Sequence, residues 1–299
     1  MTAPGLHHDP KWVRANTLFP TSGAGNDVAL LGVPACETAL SPTSAHLTPD
    51  AIRTALARYS TYSSSHDVDL RDLDLRDLGD VDSPDGNEGE LRVASAVSKV
   101  RSNHKLLIAL GGDNSITYSV AKGLWPDLSK CGLITLDAHL DLRDGHSNGS
   151  PVWRLIQAGM LGANIVQIGI SDFANSREYF ARAKDSGIHV VTRDVLRKRP
   201  TADVMAEAFD IAGADQREIY VDLDVDVCDR SVAPACPASV PGGITADELR
   251  QVAFLAGTDA RVRALDITEI DPLMDAPDGR TIRLAALLVL EAACGVAHR

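Results

Sequence analysis

Asp137, His139 and Asp141 stand at two-residue spacing directly after the apolar run Leu133-Ile134-Thr135-Leu136. Alternate residues of an extended segment point the same way, so the three can converge at a strand's carboxyl end. A second run behaves alike: Ile219-Tyr220-Val221 leads into Asp222, Asp224 and Asp226, with Asp229 beyond. Two acidic clusters with one imidazole describe a cation site. An EF-hand-like calcium loop does not account for the second run, because that loop needs a Gly at its sixth position and a distal Glu. Buried acids without a cation would be uncompensated at large cost. Carboxylates with a single imidazole suit Mn²⁺ best, with Mg²⁺, Fe²⁺ and Zn²⁺ as further candidates. There are carboxylates enough to bridge two ions, which together can activate water near neutral pH. The chemistry is that of a metal-dependent hydrolase.

Such residues need strands to carry them. Apolar strands are expected over 28–33, 106–110, 133–136, 165–170, 188–191, 218–223 and 262–267. Helices are expected near 49–60, 89–102, 115–124, 151–159, 176–186, 201–212, 245–256 and 280–295. Thr48-Pro49 reads as an N-cap with Pro at the first helical position, and Thr245 with Glu248 as a capping box. Apolar strands alternating with helices imply a parallel sheet covered on both faces. Ligands of such sheets bind beyond the strands' carboxyl ends. Gly111-Gly112-Asp113-Asn114-Ser115, both acidic clusters and Glu269 all follow strands in that way. The acidic stretch 67–82, with its near-repeat Asp-Leu-Arg-Asp-Leu, reads as a solvated edge strand or loop. No linker divides the chain, so residues 1–299 read as one domain.

The net charge of −12 argues against nucleic acid, since no basic stripe is present to neutralise phosphates. No apolar run approaches the length that spans a bilayer. The five cysteines are odd in number and lack a CxxC pair, which fits reduced thiols in a cytoplasmic protein. Cys228, between Asp226 and Asp229, reads as inert packing. The segment up to about Asp27 is expected to be a loose arm, with His7 and His8 incidental.

Gly111–Ser115, Asp137–Asp141, Asp222–Asp229 and Thr268-Glu269-Ile270-Asp271-Pro272 resemble, in order, the signature blocks of the ureohydrolase family. That family includes arginase, agmatinase, guanidinobutyrase and formiminoglutamase. Leu78-Gly79-Asp80 and 234–243 also resemble family landmarks, so the resemblance covers nearly the whole chain from Val28. It implies a three-layer α/β/α fold with a mainly parallel, doubly wound sheet, a binuclear manganese centre, and hydrolysis of a C–N bond in a linear amidine or guanidine. By position it implies that Asp137 and Asp224 bridge both ions. Asp141 and Asn114 would complete one shell, His139 and Asp226 the other, with Asp113 and Asp229 supporting them. Glu269 would face the amidinium, and Asp226 would relay a proton to the leaving amine. The resemblance also implies a homo-oligomer, trimer or hexamer.

Two positions depart from the family pattern. Asn114 stands where the family usually has His, so one ion would be held more weakly. Asn148 stands where arginases use a His as proton shuttle, which leaves His146, two residues away, as the substitute. Arg143 follows Asp141 by two and projects toward the same pocket, where a guanidinium would bind a carboxylate and repel a purely cationic substrate. Arg143, Asn148, Ser150 and Glu269 form the expected substrate-binding set, with Arg154 and Arg177 as further carboxylate candidates. Asp141-Leu142-Arg143 and Gly149-Ser150-Pro151 resemble formiminoglutamases more than other members. Their substrate is N-formimino-L-glutamate, cleaved to L-glutamate and formamide in histidine breakdown. Guanidino-acid hydrolysis and a catalytically silent binding homologue are the alternatives.

Overall fold

Strands made wholly of apolar residues need cover on both faces, and the computed structural model, which describes residues 9–299, supplies it. β1 (Val28–Val33) leads through α1 (Thr48–Leu56) and a small antiparallel hairpin, β2 (Tyr62–Ser63) and β3 (Val68–Asp69), to β4 (Leu75–Asp80). Next come α2 (Gly86–Val100), β5 (Leu106–Gly111), α3 (Ile116–Leu124) and β6 (Cys131–Leu136). α4 (Pro151–Gln157), β7 (Ile165–Ile170), α5 (Arg177–Ser186) and β8 (His189–Thr192) follow. The chain ends with α6 (Arg193–Leu196), α7 (Thr201–Ala212), β9 (Glu218–Asp224), α8 (Ala246–Thr258), β10 (Val262–Thr268) and α9 (Arg280–Val296).

Eight strands form one sheet in the order β4-β1-β5-β10-β9-β6-β7-β8, every neighbouring pair parallel. Strand parity divides the core in two. Leu30, Ile108, Ile134 and Val221 meet Ile52, Val204, Leu249 and Leu288 of α1, α7, α8 and α9 on one face. Leu31, Leu107, Leu133 and Ala264 meet Val93, Val120, Leu155 and Ala183 of α2 to α5 on the other. This is the three-layer α/β/α arrangement. After β5 the chain skips two positions to lay down β6, and β10 and β9 later fill the gap. The four central strands thus bring their carboxyl ends together.

Some local expectations hold and others are corrected. The acidic stretch does contain an edge strand, β4, where Arg53 pairs with Asp77 at 2.7 Å and Asp80 at 2.6 Å. Thr48 does not cap α1. It is the helix's first residue, and its hydroxyl donates instead to the Ile270 carbonyl at 2.7 Å, beside Glu269. The capping box at Thr245 and Glu248 does form. The segment read as a loose arm is anchored from Ala15 on. Ala15, Leu18 and Phe19 enter the core, and Ala15 N–H donates to the Tyr59 carbonyl. His7 and His8 lie outside the described residues. Among the described residues no helix is long and apolar enough to cross a membrane.

Candidate metal centre

Each strand end delivers its acid at or just past the last ladder residue. Asp137 follows β6, Asp224 ends β9 with Asp226 in the helical turn after it, and Glu269 follows β10. Asn114 follows β5 through Gly111-Gly112, a loop pressed so tightly on the one after β1 that a Cβ on Gly112 would lie 1.8 Å from the Ala35 carbonyl. That close approach lets Gly112 accept from Glu269 N–H at 3.0 Å and Ala35 from Asp113 N–H at 2.8 Å. Asp141 and Glu269 adopt left-handed backbone, with φ of 51° and 64°. Such strain costs roughly 1–3 kcal/mol per residue and gathers at functional sites.

The ligand atoms of Asp137, His139 and Asp226 all lie within 4.8 Å of one another. His139 Nδ1 sits 3.3 Å from Asp137 and 3.0 Å from Asp226. Asp137 Oδ2 is buried with no hydrogen-bond partner, so one lone-pair site faces the centre unsatisfied. Burial, followed by the Asp226 charge, pushes the Asp137 carboxyl up to about 7. Burial and then neighbouring carboxylates likewise raise Asp141 and Asp224. For His139, burial lowers the pKa, but Asp226 and Asp137 outweigh it and hold the imidazole at about 12. The imidazolium is therefore the counter-charge of the metal-free centre. A hard, oxygen-rich donor set, an orphaned carboxylate oxygen and mutually repelling buried acids all fit a divalent cation of the Mn²⁺ type.

Asn114 is placed differently from the expected ligand. Its side-chain amide donates to Asp141 Oδ2 at 2.7 Å, and its carbonyl oxygen lies 3.0 Å from each of the Thr117 and Thr268 hydroxyl oxygens. Its backbone N–H donates to Glu269 Oε1 at 2.7 Å, and the Asn148 amide reaches the same oxygen at 2.8 Å. Burial and then the Asp113 charge raise the Glu269 carboxyl to about 8, against those two donors.

A buried polar row lies one strand step below. Gln167, Thr135, Asp222 and Asp266 are register neighbours on β7, β6, β9 and β10. Asp266 accepts from Tyr220 OH at 2.6 Å and Thr117 Oγ1 at 2.9 Å. Neither Asp222 oxygen meets a donor, and burial with the nearby Asp266 charge raises its pKa well above the carboxylate range.

The centre opens into a cavity of about 300 Å³ lined by His139, Asp141, Asp224, Asp226 and Glu269 together with Arg143, Asn148, Ser41 and Tyr179. Arg143 lies exposed in this wall. Asp144 does not neutralise it, because Asp144 pairs with Arg182 at 2.8 Å. The Arg143 stem crosses Gly149, where a Cβ would meet its Cδ at 2.8 Å.

Other expected site residues are not brought to the cavity. His146 turns to Glu90 at 2.8 Å, and Arg154 makes a bidentate pair with that carboxylate at 2.6 and 2.8 Å. A half-buried acid on α2 outcompetes the site for both side chains. The Ser150 hydroxyl closes a turn with the Ser147 backbone, and Asp229 holds the N–H groups of Ser231 and Gly242. Arg177 lies on another cavity, between α5 and β8. Asn175 went unnoticed in the sequence. Its amide accepts from Leu140 N–H at 2.8 Å and donates to the Ala138 carbonyl at 3.0 Å, bracing the segment that holds His139. An Asn five residues past the end of β7, in a segment rich in turn formers, is the available signal.

The sequence matches the model of the Arginase family over residues 26–295. Formimidoylglutamase of Halalkalibacterium halodurans is 36% identical over 282 residues, covering 91% of this chain and 88% of that protein. The crystal structure of formimidoylglutamase from Bacillus subtilis superposes with a TM-score of 0.91 at 31% identity, covering 99% of this chain and 95% of that one. Trypanosoma cruzi formiminoglutamase with two Mn²⁺ superposes with a TM-score of 0.87 at 25% identity, covering 96% and 99%.

Proposed function

The chain belongs to the arginase family, and from that premise we propose that it is a manganese-dependent hydrolase of N-formimino-L-glutamate, releasing L-glutamate and formamide. The observation that carries the substrate is the presence, in the lining of one cavity, of both the unpaired Arg143 guanidinium and the Glu269 carboxylate. An amidine bearing carboxylates matches both groups. A substrate with cationic groups at both ends would meet repulsion at Arg143. The names of the relatives point the same way.

Asp137, His139, Asp141, Asp224 and Asp226 would hold two Mn²⁺. When bound they supply a water of lowered pKa and polarise the amidine. Glu269 orients the amidinium, held in place by Asn114 N–H and Asn148. Arg143 takes a carboxylate of the substrate. Asp226 accepts a proton and returns it to the amine as the C–N bond breaks, so water adds across that bond and nothing else is consumed. Tyr179 and Asn175 close the wall around the substrate's stem.

Histidine breakdown is the setting this reaction implies, and free thiols at all five cysteines support a reducing, cytoplasmic one. Assembly into a homo-oligomer, trimer or hexamer, is supported by the open sheet edge at β8. Phe180 and Val195 are exposed near it.

The test is a product assay on Mn²⁺-loaded protein with formiminoglutamate, arginine, hydroxyarginine, agmatine and guanidinobutyrate. Formamide from formiminoglutamate alone is expected; urea or hydroxyurea from a guanidino compound would overturn the substrate.

A further inference from the structure

Thr117 Oγ1 carries one proton and lies between two acceptors, Asp266 Oδ2 at 2.9 Å and Asn114 Oδ1 at 3.0 Å. It can serve only one of them at a time. Thr268 Oγ1 approaches the same Asn114 oxygen at 3.0 Å. In this arrangement the NH₂ end of the Asn114 amide faces Asp141. That is the right end for a bare carboxylate and the wrong end for a cation, which an amide oxygen attracts and an NH₂ repels.

A hydroxyl both donates and accepts, so the surroundings of Asn114 can satisfy either end of its amide. If Thr117 gives its proton to Asp266, its lone pair faces Asn114 and calls for the NH₂ end. Thr268, which makes no other side-chain hydrogen bond, can rotate to match. The Asn114 oxygen then faces the centre beside Asp141. Asp266 is fixed to receive that proton, since Tyr220 OH at 2.6 Å and Leu223 N–H at 3.3 Å hold its carboxyl in place. Both arrangements leave every buried polar atom of this group paired, as burial demands.

Resting on the metal reading above, we propose that Thr117 is a positioning residue that lets the Asn114 amide turn over when a cation enters beside Asp141, with Asp266 taking the hydroxyl proton in the loaded state. Asn114 thus holds Asp141 in the empty centre and joins it as a ligand in the filled one. Without the Thr117 hydroxyl the turned amide loses its partner on α3.

The test is titration of full-length, metal-free protein with Mn²⁺, reading free Mn²⁺ by electron paramagnetic resonance. Wild type is expected to bind two equivalents. Thr117→Val should weaken the second equivalent by about tenfold or more, the usual cost of removing a group that orients a ligand. The first equivalent should be unchanged, and Thr117→Ser should match wild type. Should Thr117→Val not fold, Thr117→Ala removes the same hydroxyl with less bulk. Unchanged second-site affinity in these variants, equal weakening of both equivalents, or failure of Ser to restore binding would overturn the proposal. Wild type that binds no Mn²⁺ would overturn the metal reading itself.

Discussion

Asn148 donates to Glu269 Oε1 at 2.8 Å while its own carbonyl oxygen accepts from Leu40 N–H at 3.0 Å. One short side chain thereby ties the loops after β1, β6 and β10 together at the mouth of the cavity. It is a tether for Glu269, at a position where arginases carry a proton shuttle. A donor to a carboxylate lowers that carboxylate's pKa. Asn148→Ala should therefore raise the Glu269 pKa above its present value of about 8. The acidic limb of the kcat/KM pH profile should move upward, with loss of rate at pH 7. An unmoved profile would remove Glu269 from that limb.

The buried acids make the metal-free protein sensitive to alkali. Glu269 at about 8 and Asp137 at about 7 are carboxyls whose folded pKa lies above the unfolded value. His139 at about 12 is likewise raised. In each case the folded chain binds more protons than the unfolded one, so stability falls with rising pH. For the carboxyls the fall runs from about pH 4 to about 8, and for His139 it begins near 6.5. The Tm of chelator-treated protein should drop steadily from pH 5 to pH 9. Added Mn²⁺ should flatten that slope and release protons on binding, measurable by calorimetry in buffers of different ionisation enthalpy.

Gly149 makes a surgical test of Arg143 available. A Cβ there would displace the guanidinium stem, and Gly149 does not need a left-handed backbone. Gly149→Ala and Arg143→Ala should both raise KM for formiminoglutamate by about tenfold or more, as loss of a charged contact does. Their Tm should stay near wild type, since Arg143 is exposed. Equal loss of stability and affinity would assign Arg143 to structure.

His146 is bound to Glu90 and away from the cavity. His146→Ala should leave kcat and its pH profile within about twofold. Glu90→Ala should destabilise the fold by about 1–3 kcal/mol, because it leaves the Arg154 pair without its acceptor. A large fall in kcat for His146→Ala would reinstate it as a proton shuttle.

Much of this molecule was legible in its residues. The apolar runs locate six strands buried along most of their length, because a strand covered on both faces has no choice of composition, and the short edge strand β8 besides. Two-residue spacing placed Asp137, His139, Asp224 and Asp226 at strand ends for the same geometric reason. β4 was harder, since an edge strand rich in Asp resembles a loop until Arg53 is seen to neutralise it. His146 and Arg154 are held by Glu90, away from the cavity. Proximity along a loop says nothing of competing partners, and Glu90 comes from α2, far away in sequence. The orientation of the Asn114 amide was beyond reach, because Thr117 and Thr268 meet it only through the fold.

The strand order also has a consequence for the birth of the protein. β9 and β10 are made late, yet they occupy the middle of the sheet, between β5 and β6. While the chain is still emerging from the ribosome, β5 and β6 have no shared neighbour, and Asp137 and Asp141 face a gap. Asp224, Asp226 and Glu269 arrive only when the last strands slide in. A chain that has not yet reached β9 therefore lacks Asp224 and Asp226, two of the acids gathered at the centre. Such long-range pairing is slow to form, so the centre is complete only when the middle of the sheet is filled.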